Sequence, residues 1–435
     1  MIKKLILVFI VLFTVKNYAQ EGTSSPYSFY GIGSLKFKGT VENRSMGGLS
    51  IYSDSIHINL RNPASYGDSN LLVYNNEARP VKFAVGGSHS EIRLKSDSES
   101  SKTSTSTFDY LAVSIPAGKF GLGFGLLPYT SVGYKLENIN DNNDITNRFN
   151  GQGGLNKVYF SVGYLLAKGF SIGIDTQYNF GNIQNSTIAF IYNDEGELVQ
   201  YQTRENNRSD LSGLNFNIGL IYKTMLSEKL ELQTGLTYSP QSNISSENQR
   251  SLSTITISNT TGSENVINTI ETDLEGSGLK NTTLNLPSRF SIGAGIGQPR
   301  KWFFGMEYTS INTSNFSNDL YSSVNTSFDN SSIFSIGGFY IPEYNAFSKY
   351  WKRMVYRAGL RFENTGLVVN NEPIKEFGMS FGLGLPVGGL FSNANLGFEL
   401  GSRGTTNNNL IKENFFNLNI SLSLNQRWFE KRKYD

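Results

Sequence analysis

Apolar and polar residues alternate one by one along much of this chain. Near its end, Phe416, Leu418, Ile420, Leu422 and Leu424 fall on one face of a strand, and Asn417, Asn419, Ser421, Ser423 and Asn425 fall on the other. Val158, Phe160, Val162, Tyr164 and Leu166 repeat the pattern, and Phe170, Ile172, Ile174, Tyr178 and Phe180 answer it across Lys168-Gly169, so the two runs predict a hairpin. Leu214 to Tyr222 pairs with Leu230 to Tyr238 in the same way, and Trp302, Phe304, Met306 and Tyr308 continue the series. The opposite faces carry Ser171, Gly173, Asp175, Gln177, Glu231, Gln233 and Glu307, which suit a wet lumen and not lipid. One such strand fits a soluble sandwich equally well. Repetition over some 350 residues predicts an all-β transmembrane antiparallel barrel of about fourteen strands, spanning residues 80–429.

Connection lengths give the topology. Short turns at Ala117-Gly118-Lys119, Lys168-Gly169, Ser227-Glu228, Gln298-Pro299 and Gly388-Gly389 contrast with long polar segments at 95–107, 137–153, 242–281 and 312–325. In outer-membrane barrels short turns face the periplasm and long loops face outward. Pro128 falls inside the third expected strand, where its missing N–H favours either a kink or local gap, or a harmless edge irregularity near an extracellular end.

Before the barrel, Lys3 and Lys4 precede an apolar run, Leu5 to Phe13, and then Tyr18-Ala19-Gln20, so residues 1–19 read as a signal peptide. Its core is too short for a spanning helix, which needs about 20 residues. Residues 20–79 lack strand periodicity but carry Tyr27, Phe29, Tyr30, Ile32 and Leu35, anchors that a hatch inside the lumen would bury. Glycines at inward positions, Gly121, Gly123 and Gly125 on one strand and Gly293, Gly295 and Gly297 on another, leave room for it. At the other end Trp428 and Phe429 close the barrel, and residues 430–435 form a periplasmic tail.

Composition narrows the functional classes. Charged residues are 17% of the chain, below the roughly 25% of soluble proteins. The formal charge of +2 includes Lys3, Lys4 and Lys16, so the mature chain is near −1 and gives no reason to expect nucleic acid as a partner. Cysteine is absent, which excludes a lipidated N-terminal Cys, disulfides and thiolate metal sites.

The stretch Arg44 to Tyr66 resembles the N-terminal hatch of the FadL/TodX outer-membrane transporters of hydrophobic compounds. Asn62-Pro63-Ala64 matches that family's Asn-Pro-Ala motif, and Gly47 and Gly48 supply the glycine turn before it. Ser114-Ile115-Pro116 leading into Phe120 to Tyr129 is similar to its second hairpin, and Leu286-Pro287-Ser288 is a third match. The resemblance implies a Gram-negative outer-membrane location and passive uptake of a hydrophobic small molecule or lipid such as a fatty acid. Hatch rearrangement at Gly47, Gly48, Asn62, Pro63 and Ala64 would precede lateral exit near Pro128. FadL-like barrels also serve as accessory subunits of export machinery, which makes envelope proteins the alternative partners and a docking role the alternative function.

Charged residues at inward parity, Asp175, Glu231, Glu307, Arg357, Arg361 and Glu399, need partners. They predict an ion-pair lattice in which Glu399, Arg357 and Arg361 hold hatch residues Arg44 and Arg61. Catalytic, cofactor and metal sites are not expected. The two histidines, His57 and His89, have no nucleophilic arrangement around them, Asp141-Asn142-Asn143-Asp144 lacks the Gly and Glu of a calcium loop, and Gly151-Gln152-Gly153-Gly154 opens a strand and not a helix.

Overall fold

The computed structural model describes residues 22–54, 56–68, 80–140, 142, 144–258, 261–316, 325–387 and 392–426. The expected signal peptide, the Gly388-Gly389 turn, Trp428, Phe429 and the tail lie outside these residues.

Fourteen antiparallel strands form the wall: β1 (Val81–Lys95), β2 (Ser100–Ala117), β3 (Phe120–Pro128 and Thr130–Ile139), β4 (Ile145–Ala167), β5 (Phe170–Ala189), β6 (Gln202–Met225), β7 (Glu231–Ser239 and Ser242–Ile257), β8 (Glu264–Glu271, Asn281–Leu286 and Arg289–Gln298), β9 (Trp302–Ile311), β10 (Thr326–Phe328 and Ser331–Tyr340), β11 (Val355–Val369), β12 (Glu372–Pro386), β13 (Asn393–Arg403) and β14 (Lys412–Gln426). β14 pairs with β1 from Val81↔Gln426 to Lys95↔Lys412 and closes the barrel. Closure leaves no unpaired edge, the condition for crossing a bilayer with strands. No described helix is long and apolar enough to cross a membrane.

The alternation sorts the side chains as expected. Phe160, Ile174, Leu214, Phe216, Met306 and Phe381 are exposed on the outer face, whereas Ser171, Asp175, Gln177, Gln233, Glu307 and Glu399 are buried within.

Strand extents depart from the sequence reading on the outward side. The long loops expected at 95–107, 137–153 and 242–281 are mostly strand: β1 turns into β2 across residues 96–99, and β3 into β4 across 140–144. β7 and β8 continue as a hairpin from Ser251↔Glu271 to Ile257↔Glu264. These strand ends are polar or exposed on both faces, as in the almost wholly exposed Glu264–Glu271 segment, so the ladder persists where the two-residue pattern is lost. Of the segment expected to be a polar turn, Asp141 and Asn143 lie outside the described residues; Asn140 Oδ1 accepts from the Asn142 and Asp144 backbone N–H groups.

Residues 22–68 pack against inward-facing side chains around the wall. Ile32 joins Val132, Leu155, Ile183 and Leu211 in one apolar cluster; Leu49 and Ile51 join Phe303 and Phe339 in another. Gly121 and Gly123 clear space for Tyr66, and Gly293 for Ile51. Gly125, Gly295 and Gly297, expected to do the same, instead face wall groups: Tyr159 and Leu111, Phe303 and Phe304, and Trp302 and Phe303 respectively.

Candidate functional site

Asn62-Pro63-Ala64 opens a 3₁₀ turn, Pro63–Gly67, that lies flat on the inner wall. Proline suits the first position of such a turn because no partner for its N–H is needed there, and Asn62 caps it by accepting from the Ala64 N–H at 3.1 Å. The same Asn62 donates from Nδ2 to the Leu220 carbonyl at 3.0 Å, tying the turn to β6. The approach is close enough that a Cβ at Gly163, Gly173 or Gly219 would collide with Gly67, Pro63 or Asn62. The motif is therefore seated in a strip of wall that only glycine leaves open.

The turn before it is equally constrained. The helical turn Val41–Arg44 is capped by Ser45 and followed by Gly47 and Gly48, both at positive φ (70° and 89°), and the Gly47 N–H donates to Ser380 Oγ at 2.9 Å. A side chain on Gly47 would meet the Leu360 backbone.

Buried ion pairs hold this segment. Arg44 donates to Glu399 at 2.7 Å, Arg361 bridges Glu399 (3.0 Å), Glu363 (2.6 Å) and Glu376, and Arg403 shares Glu376. Arg61 pairs with Glu307 at 2.8 Å, and that carboxylate also accepts from the backbone and hydroxyl of Ser50. The structure brings Arg44, Arg361 and Glu399 together, while Arg61 belongs to a separate pair. Arg357 is not a member: it donates to Asn395 at 3.2 Å and makes no ion pair with a described carboxylate. Lys223–Asp68 (2.5 Å) and Lys38–Asp175 (3.4 Å) were missed. The inward parity of Lys223, and Asp68 two residues after Tyr66, were the available signals.

At one end of the hatch, Asp54 faces His57 at 2.8 Å, and Lys82 donates to the Asp54 and His57 carbonyls. Burial alone would raise the Asp54 carboxyl, but His57 and Lys82 together hold it well below the usual carboxylate range. At the other end burial pushes the Lys36 ammonium down to about 8, against the pull of Asp109.

Pro128 marks a real break. β3 stops there and resumes at Thr130. Below the break β3 pairs with β2, ending at Leu111↔Leu126; above it, the facing partner is the two-residue hatch strand Ser34–Leu35, through Leu35↔Thr130 and Ser34↔Ser131. Lys36 extends this pairing by donating its N–H to the Tyr129 carbonyl at 2.9 Å. A cleft of about 430 Å³ opens beside the break, lined by Lys36, Thr107, Phe108, Pro128, Thr130 and Asn182 among others. Inside it lies a cavity of about 200 Å³ between hatch and wall, which shares Lys36 and Pro128 with the cleft.

Compared with known proteins, this whole chain, residues 1–435, matches the family model BamG. The chain belongs to the BamG family. No curated protein sequence matches it. Among solved structures, this BamG-family chain is similar to the Pseudomonas putida toluene transporter TodX, with a TM-score of 0.62 at 14% identity over 91% of this chain and 100% of that one. It is also similar to a Pseudomonas aeruginosa FadL homologue (0.57, 11%, 90% and 98%) and to the Ralstonia pickettii toluene transporter TbuX (0.55, 14%, 89% and 98%). At these identities the likeness is one of fold: the BamG-family barrel has the architecture of outer-membrane channels for hydrophobic compounds. The FadL/TodX resemblance read from the sequence holds at that level, under a differently named family.

Proposed function

We propose that this protein is a Gram-negative outer-membrane barrel whose lumen is plugged by residues 20–79, and that it works as a non-transporting, docking subunit of a larger outer-membrane assembly. One observation carries the reading: the hatch is latched to the wall by buried ion pairs on several strands, Arg44–Glu399, Arg61–Glu307 and Lys223–Asp68. Opening the lumen would have to part these pairs together with the hydrogen bonds around them, which favours a hatch that stays in place. The cavity beside the hatch sets six basic side chains and a single carboxylate among apolar residues such as Ile32, Leu127 and Phe316, so it is not a uniformly apolar path. The outward β7–β8 hairpin exposes Val266, Ile267 and Ile270 and supplies a surface for a partner.

A second reading is favoured by the break at Tyr129: passive uptake of hydrophobic small molecules, with lateral exit through the side cleft. An apolar solute gains roughly 0.8 kcal/mol per CH₂ on leaving water, so exit into lipid avoids the periplasm. TodX and TbuX are toluene transporters, which lends the route its substrate class.

Mass spectrometry after gentle extraction from the native outer membrane separates the two. A fixed stoichiometric set of envelope proteins is expected, and a bound apolar compound without stoichiometric protein would transfer the assignment to transport.

A further inference from the structure

The cavity behind the Tyr129 break gathers more cations than its ion pairs engage. Lys157 on β4 is almost fully buried, yet its Nζ makes no hydrogen bond or ion pair with any described residue and rests on the Tyr129 ring at 4.1 Å. Arg289, at the start of the last segment of β8, likewise has no described hydrogen-bond or ion-pair partner. Lys38 of the hatch stands close enough to repel both; Asp175 lies 3.4 Å from Lys38, while Glu307 and Glu363, the carboxylates that act on Arg289, are held by Arg61 and Arg361. Arg61 is paired with Glu307 and Arg403 with Glu376, so they leave this excess uncancelled.

Taking a charge out of water costs several kcal/mol unless a counter-charge is supplied, and here no described carboxylate reaches ion-pair distance of Lys157 or Arg289. Between Lys157 and Arg289 the wall presents Gln177, Asn215, Asn217, Thr237 and Ser239 to the cavity. Amide and hydroxyl groups there can donate to an anion, and Gln177 Oε1, buried without a described donor, calls for one in return.

We propose that this cavity binds a compact oxyanion of the phosphate class, held by Lys157, Arg289 and Lys38. A monohydrogen phosphate offers several acceptors to the cations and amides, and its one P–OH can donate to an acceptor such as Gln177. An ionised carboxylate has acceptors only and would leave Gln177 Oε1 without a donor. Lys36 lines both the cavity and the side cleft, so the same chemistry is reachable as a free anion or as a phospholipid headgroup entering from the membrane. The site stands whether the barrel is a docking subunit or a channel.

The test is calorimetric titration of the detergent-solubilised full-length protein with inorganic phosphate at constant ionic strength, in parallel with octanoate and with dihexanoyl phosphatidic acid. Saturable one-site phosphate binding is expected, weakened at least tenfold in Lys157→Met and in Arg289→Gln and unchanged in Lys280→Gln on an exposed loop. Gel mobility without boiling verifies that each variant is folded. Phosphatidic acid binding more than tenfold tighter than phosphate, with the same losses, assigns the site to a headgroup; equal or weaker binding assigns it to the free anion. Absence of saturable phosphate binding, binding that both variants leave intact, or a preference for octanoate overturns the proposal.

Discussion

At the scale of single residues the hatch is held by groups whose loss has opposite consequences depending on what remains. Asp68→Asn leaves Lys223 buried without its carboxylate, and a loss of about 3–5 kcal/mol is expected, read as a lower midpoint of unfolding in denaturant. Asp68→Asn with Lys223→Met removes both charges, and most of the stability should return; a double variant as weak as the single one would show that the pair is not what anchors the segment. Gly173→Val tests packing and not charge. Its new side chain would strike Pro63, so hatch protection against hydrogen exchange should fall around residues 59–68 while the outer strands keep theirs. Asp54 makes the pH-dependent prediction. Its folded value lies below its unfolded value, so the contact with His57 and Lys82 contributes stability above the ordinary carboxylate range and loses it as pH falls toward the folded value. Asp54→Asn should therefore lower the melting temperature at pH 7, with the gap to the wild type narrowing below about pH 4. A gap that is constant with pH would deny the charge its role.

At the scale of elements, the sequence announces what alternation and proline encode and hides what depends on the lumen. The wall was legible because its outer face meets lipid, which forces residues such as Phe160 and Ile174 onto one parity. Pro128 announced the break in β3, since proline removes one ladder donor. What replaces β2 above the break was not legible, because Ser34–Leu35 is too short to show a period and owes its place to pairing with β3. The latch was half legible: inward parity found Arg361 and Glu399, but parity cannot say which carboxylate an arginine reaches, and Arg357 ends on Asn395. The Ser34–Leu35 strand also permits a direct test of lateral exit. Leu35 and Thr130 face each other beside the Lys36–Tyr129 hydrogen bond, in the closer kind of antiparallel pair with Cα atoms about 4.5 Å apart, within disulfide reach. The chain has no cysteine, so Leu35→Cys with Thr130→Cys introduces a single possible bridge. The oxidised variant should block any uptake of a hydrophobic probe and regain it on reduction. Uptake indifferent to the bridge would remove the side cleft from the route, and co-extraction of envelope proteins should not change in either state.

At the scale of the whole molecule, the barrel divides into a wall fixed by lipid, a hatch fixed by buried charge, and outward hairpins fixed only by their own ladders. The last are the parts whose sequence the membrane does not constrain. On the β7–β8 hairpin, Val266, Ile267 and Ile270 are nonetheless exposed apolar residues, all on one short strand outside the apolar band. A hairpin that merely met water would be better served by polar residues at these positions, so their presence fits a surface that is covered in the working protein. Replacing residues 252–270 with Asn-Gly closes the hairpin on the Ser251↔Glu271 pair through a tight turn and deletes all three. The ladder that remains below, β7 with β6 from Ser245↔Ser212 to Ser251↔Asn206, is untouched, so the shortened barrel should fold and keep its compact gel mobility. If the docking reading is right, the stoichiometric envelope proteins that accompany the native barrel should be lost from the shortened one, with hatch protection in hydrogen exchange unchanged. If they stay, the docking surface lies elsewhere on the barrel, and the exposed periplasmic turn that carries Phe347 and Trp351 becomes the next segment to remove.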